Sequence, residues 1–118
     1  MRYRIERYQD RQGNVPFTDW ITRLRKKQRQ AAAKIDNQID RAETGNFGDH
    51  KFARDGVWEM RINFGTGYQI YYAVEGEEIV ILLLGGDKKT QDQDKDIDKA
   101  IEYLQDYKAR KPNENEQN

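Results

Sequence analysis

Along the chain, apolar side chains recur with two periods. Phe17, Trp20, Ile21 and Leu24 fall at i, i+3, i+4 and i+7, one stripe of a helix entered at Pro16. Ala32, Ile35, Ile39 and Ala42 form a second stripe, which predicts a helix from about Gln30 to Glu43, stopped by Thr44 and Gly45. Ile97, Ala100, Ile101 and Leu104 form a third. The run Thr90-Gln91-Asp92-Gln93 has the form of a capping box, so this last helix is predicted from Thr90 to about Lys108.

Elsewhere the period shortens to two. Tyr3 to Tyr8 predicts a short strand. In "VWEMRIN", Trp58, Met60 and Ile62 point one way while Val57, Glu59 and Arg61 point the other; in "YQIYYAV", Tyr68, Ile70, Tyr72 and Val74 oppose Gln69, Tyr71 and Ala73. Gly65 and Gly67 between them suit a hairpin, which would set Arg61 opposite Gln69 on the face that also holds Glu59 and Tyr71. Ile79 to Leu84 is apolar on both faces, as a covered central strand is. The segment Gly45 to Gly56 keeps no period and reads as a surface loop. Residues 1–108 are thus expected to form one domain, with 109–118 a disordered polar tail.

Composition removes several chemistries. The 118 residues include no cysteine and no serine, which excludes disulfides, thiolate metal sites, and cysteine or serine nucleophiles. His50 is the single histidine, so no pair of histidines can hold a metal or form a dyad. Asp92, Asp94 and Asp96 imitate the start of a calcium loop, but Ile97 and Tyr103 stand where an EF-hand needs glycine and glutamate; acidic residues at a helix start suit its dipole instead. No phosphate-binding glycine motif follows a strand, and no cofactor is expected. No apolar run is long enough to span a membrane, and a cytoplasmic protein is expected.

The net charge of zero conceals an asymmetry. Residues 1–34 hold ten basic and three acidic side chains, and residues 35–118 hold eleven against eighteen. Arg23, Arg25, Lys26, Lys27 and Arg29 cluster between the first two helical stripes, a composition that suits a polyanion. "GGDKKT" brings Lys88 and Lys89 to the end of the apolar strand, where flexible backbone and two ammonium groups could read a phosphate.

The segment "GVWEMRINFGTGYQIYYAVEGEEIVILLLGGDKKTQDQDKDIDKA", Gly56 to Ala100, resembles the core of the RelE/ParE superfamily of type II toxin-antitoxin toxins, in the HigB-like addiction module killer protein branch. Pro16, Phe17 and Trp20, and the "GNFGD" of Gly45 to Asp49, match the same branch. The resemblance implies an α+β fold in the order βααβββα, with a twisted, mostly antiparallel four-stranded sheet. It implies an mRNA endoribonuclease that needs the ribosome and no metal, neutralised by an antitoxin with a helix-turn-helix domain. On that basis Arg61, Lys88, Lys51 and His50 are the catalytic candidates, and Gln69, Tyr71, Lys89, Arg54, Arg25, Lys26 and Lys27 the RNA-binding ones. Gln69 departs from the arginine common in the branch. ParE-like relatives, which poison DNA gyrase by binding it, and an antitoxin-binding module of weak or no activity remain open alternatives.

Overall fold

The computed structural model describes residues 2–88 and 92–110. The elements run β1 (Arg4–Arg7), α1 (Pro16–Lys27), α2 (Arg29–Ala42), β2 (Asp49–Arg54), β3 (Val57–Ile62), β4 (Tyr68–Glu75), β5 (Ile79–Asp87) and α3 (Gln93–Arg110). The architecture is α+β as expected, but the order is βααββββα and the sheet has five strands, β1-β5-β4-β3-β2. The extra strand is β2, formed by residues predicted to be loop. Its turn into β3 is Asp55-Gly56, both at positive φ (52° and 86°), a pair suited to a two-residue hairpin. Only the β1–β5 pairing is parallel.

The sheet separates two cores. Phe17, Trp20 and Ile21 of α1 and Ala31, Ala32 and Ile35 of α2 pack with Met60, Ile70, Tyr72 and Leu82 on one face. Gly85 is required there, because a Cβ on it would stand 2.1 Å from the Trp20 ring. On the other face, Ala100, Ile101 and Leu104 of α3 cover Val57, Ala73, Ile81 and Leu83. Alternation along β3, β4 and β5 sends successive side chains to these two layers.

Asp92 begins α3: its Oδ1 accepts the backbone N–H groups of Asp94 and Lys95 at 3.1 and 3.3 Å. The capping residue expected at Thr90 lies outside the described residues. Near the other end of α3, Asp106 accepts hydrogen bonds from Tyr8 (2.7 Å) and Arg11 (2.9 Å) and pairs with Arg110 at 2.8 Å. The helix continues through Arg110, so Ala109 and Arg110 belong to it and not to the expected polar tail. Residues 111–118 lie outside the described residues.

Candidate functional site

Strand register builds the site. Asp49, Arg61 and Gln69 form one cross-strand rung, and Lys51, Glu59 and Tyr71 the next, all on the α3 face. The Arg61 to Gln69 pairing expected from the hairpin is present. Its connection uses Gly65 and Gly67 at φ of 60° and 90°, angles that would strain most other residues. Asp49 and Lys51 join because β2 is a strand.

Burial changes what these residues offer. Glu59, Gln69 and Tyr71 are 2%, 1% and 0% exposed, so this face of the sheet is covered there. The Arg61 side chain keeps 32% of its surface, Lys51 55% and Asp49 47%. Glu59 Oε1 lies 3.5 Å from Lys51 Nζ and 3.9 Å from Arg61 Nε, and Arg61 Nη2 lies 3.5 Å from Asp49 Oδ1. One buried carboxylate thus faces two cations whose outer ends reach solvent. A buried charge persists only where partners of opposite sign compensate its lost hydration.

The nest is incompletely satisfied. Arg61 Nε, Gln69 Oε1 and the Tyr71 hydroxyl are buried and have no hydrogen-bond partner among the described residues. Burial, and then the carboxylates of Glu59, Asp96 and Asp94, push the Tyr71 hydroxyl well above its ordinary range, so it keeps its proton at physiological pH. Burial also raises the Asp96 carboxyl above its usual range, with Asp92 adding to the shift.

The other candidates are placed as follows. Lys88 is exposed; its backbone N–H donates to the Gly67 carbonyl at 2.9 Å and its side chain packs on Gly67, at the end of the same hairpin. His50 pairs with Met60 and so projects from the opposite face; Nδ1 is 2.8 Å from the Gly48 carbonyl oxygen, to which it can donate, and the ring lies among Phe47 and Trp58. Arg54 is paired with Asp98 and Asp55. Arg25 pairs with Asp36 of α2 at 2.8 Å, while Lys26 and Lys27 are exposed in the last turn of α1, in the layer across the sheet from Arg61. Lys89 lies outside the described residues. The structure thus brings together Lys51, Arg61, Gln69 and Tyr71, sets Lys88 beside them, and separates His50 and the α1 cations from them.

Asp49 was absent from the site expected from sequence, and Glu59, expected on the Arg61 face, was not among its candidate residues. The signal for Glu59 was its alternation with Arg61, and for Asp49 the Asp-Gly turn that folds β2 onto β3. An open cleft of ≈ 390 Å³ between α1 and α3 is bounded by Asp10, Asp19, Asp96 and Arg23. Three carboxylates to one guanidinium suit it poorly for a polyanion. Among the described residues no group of three or more His, Asp or Glu side chains is arranged to hold a metal ion, and no helix is long and apolar enough to cross a membrane.

Residues 19–105, which include both rungs, match the family described as "Phage derived protein Gp49-like (DUF891)". An uncharacterized protein of Haemophilus influenzae is 47% identical over 80 residues, covering 68% of this chain and 79% of that relative.

Proposed function

Because the chain belongs to the Gp49-like family, an addiction-module toxin family of RelE-like type, we propose that it is the toxin of a type II toxin-antitoxin pair. Its activity is that of a ribosome-dependent, metal-independent mRNA endoribonuclease of the HigB-like kind, neutralised by a cognate antitoxin. The observation that carries this reading is the pair of rungs in which buried Glu59 faces Arg61 and Lys51 at the rim of the sheet.

In the proposed reaction a ribose 2′-oxygen bonds to the adjacent phosphorus, and the bond from phosphorus to the next 5′-oxygen breaks. The products are a 2′,3′-cyclic phosphate and a 5′-hydroxyl: the 2′-hydroxyl gives up its proton to water as it attacks, and a second proton passes to the departing 5′-oxygen. Arg61 stabilises charge on the non-bridging phosphoryl oxygens, for which a forked guanidinium is suited. Lys88 supplies the proton, and Lys51 neutralises the neighbouring phosphate. Glu59 is a positioning residue: it restrains two long cationic side chains that would otherwise lose more rotamer freedom on binding RNA. Gln69 and Tyr71, being buried, support Arg61 from beneath instead of stacking on a base. His50 takes no part in this chemistry. Lys26, Lys27 and Arg25 form a separate contact to structured RNA, and their contribution weakens as salt rises.

A second reading, a ParE-like toxin that binds gyrase and cuts no RNA, is favoured by the modest charge of the site, where Asp49 and Glu59 both lie within 4 Å of Arg61. The two are separated by expressing the chain and comparing primer extension on mRNA from a purified translation system with a gyrase supercoiling assay. The nuclease reading expects growth arrest and new mRNA 5′-ends at the ribosome. Intact mRNA together with inhibited supercoiling would replace it with the gyrase reading.

A further inference from the structure

Two carboxylates lie within 4 Å of the Arg61 guanidinium, and one of them is open to a substrate. Glu59 is buried beneath Arg61 and Lys51. Asp49 stands on the edge strand β2, in one rung with Arg61 and Gln69, and its side chain keeps 47% of its surface. Its two oxygens are loosely engaged. Oδ1 is 3.5 Å from Arg61 Nη2, and Oδ2 accepts from Asn63 Nδ2 at 3.4 Å. Both contacts are longer than a good charge-assisted hydrogen bond, so lone pairs remain for a further donor.

We propose that Asp49 is the general base of the cleavage, the group that takes the proton of the attacking ribose 2′-hydroxyl. The proposal rests on the nuclease reading and deepens it: the proton reaches water through a fixed carboxylate. As the 2′-oxygen bonds to phosphorus, its proton passes to Asp49. As the bond from phosphorus to the 5′-oxygen breaks, that oxygen takes a proton from Lys88. Asp49 then releases its proton to water and Lys88 regains one, which restores both groups.

The order of groups across the sheet supports the role. In-line displacement sets the attacking and leaving oxygens on opposite sides of phosphorus, so base and acid must flank the group that holds the phosphoryl oxygens. Arg61 is on β3, and Asp49 is one strand to one side of it. Lys88, just past β5, leans on Gly67 at the start of β4 and so lies to the other side. Gly86 pairs with Gln69, and alternation puts Lys88, two residues on, on the same α3 face that carries Asp49. Other proton acceptors are placed worse. His50 projects from the opposite face, the Tyr71 hydroxyl is buried and keeps its proton, and Asp55 and Asp98 are engaged with Arg54. A carboxylate beside a cation that merely screened it from RNA would predict the opposite sign when neutralised.

The test is single-turnover cleavage of ribosome-bound mRNA by the whole chain, with Asp49→Asn and Asp49→Ala beside the parent. Melting confirms that the variants fold, and binding is measured on ribosomes whose mRNA carries a 2′-deoxy sugar at the cut position and cannot react. General bases typically contribute at least ~100-fold, so both variants should cut roughly 100-fold slower while binding the deoxy complex at least as tightly as the parent. Added formate should restore the rate of Asp49→Ala in proportion to its concentration, because a small carboxylate can enter the space the side chain leaves. The role is overturned if Asp49→Asn cuts at the parental rate or faster, which would make the carboxylate a screen for Arg61. It is overturned equally if the variants are slow and formate leaves them slow, or if binding weakens in step with the rate; Asp49 would then be a positioning residue for Arg61. A parent chain that cuts no mRNA would sink the nuclease reading and this role together, whereas a cutting parent beside an equally fast Asp49→Asn would sink this role alone.

Discussion

The two faces of the sheet are filled by opposite rules. Beneath α1 and α2 the contacts are apolar and close, down to a glycine that lets an indole lie against β5. Beneath α3 the apolar packing stops partway along the strands. Beyond Ala73 and Val57 come Tyr71, Glu59, Gln69 and Arg61, a polar nest with three buried atoms lacking partners. Native interiors rarely leave such atoms unpaired, and each costs about 1–3 kcal/mol. The first face accounts for the fold. The second gives up stability to hold two cations at one rim, the arrangement expected of a site.

Substitutions can break this contrast from either side. The largest loss of stability should follow Gly85→Ala, because the new methyl meets a rigid ring 2.1 Å away. Overpacking of this kind costs ~3 kcal/mol at its upper range. Thermal melting should fall accordingly, and cleavage should fall only as the folded fraction does. Glu59→Ala should cost less, ~2 kcal/mol, below the range for fully buried pairs because Lys51 and Arg61 can turn to solvent. In that variant cleavage should drop well beyond the change in folded fraction, most visibly in kcat. Equal effects on melting and cleavage would make Glu59 merely structural.

The smallest effect reverses sign. Tyr71→Phe removes a buried hydroxyl with no hydrogen-bond partner among the described residues, and should stabilise the protein by up to about 1 kcal/mol in a denaturant titration. A loss of that size would mean that the hydroxyl contributes a hydrogen bond through water.

How much of this was legible in the sequence follows from where the information lies. The hairpin that pairs Arg61 with Gln69 is local: two alternating runs and two glycines determine its register. The helices of the first layer are equally local, since their stripes are regular. β2 was hidden because Asp49, His50, Lys51 and Arg54 give it no apolar alternation, although Asp55-Gly56 marked its turn. Reading it as a loop left open which way His50 points; strand alternation sends His50 away from Lys51 and Arg61. Tyr71 is buried by long-range docking of α3, more than twenty residues away in sequence, which no local pattern encodes.

The central claim is that the two rungs form the catalytic site, and the rate of mRNA cleavage by Arg61→Ala tests it most directly. The measurement is ribosome-dependent cleavage under single-turnover conditions, with melting confirming that the variant folds and His50→Ala, on the opposite face, as the comparison. Loss of one preorganised donor to the phosphate should remove ~3 kcal/mol of transition-state stabilisation, about a 100-fold slower cut, while His50→Ala stays near the parental rate. A folded Arg61→Ala variant that cuts at the parental rate would contradict the assignment, and a slow His50→Ala beside it would move the site to the other face of the sheet.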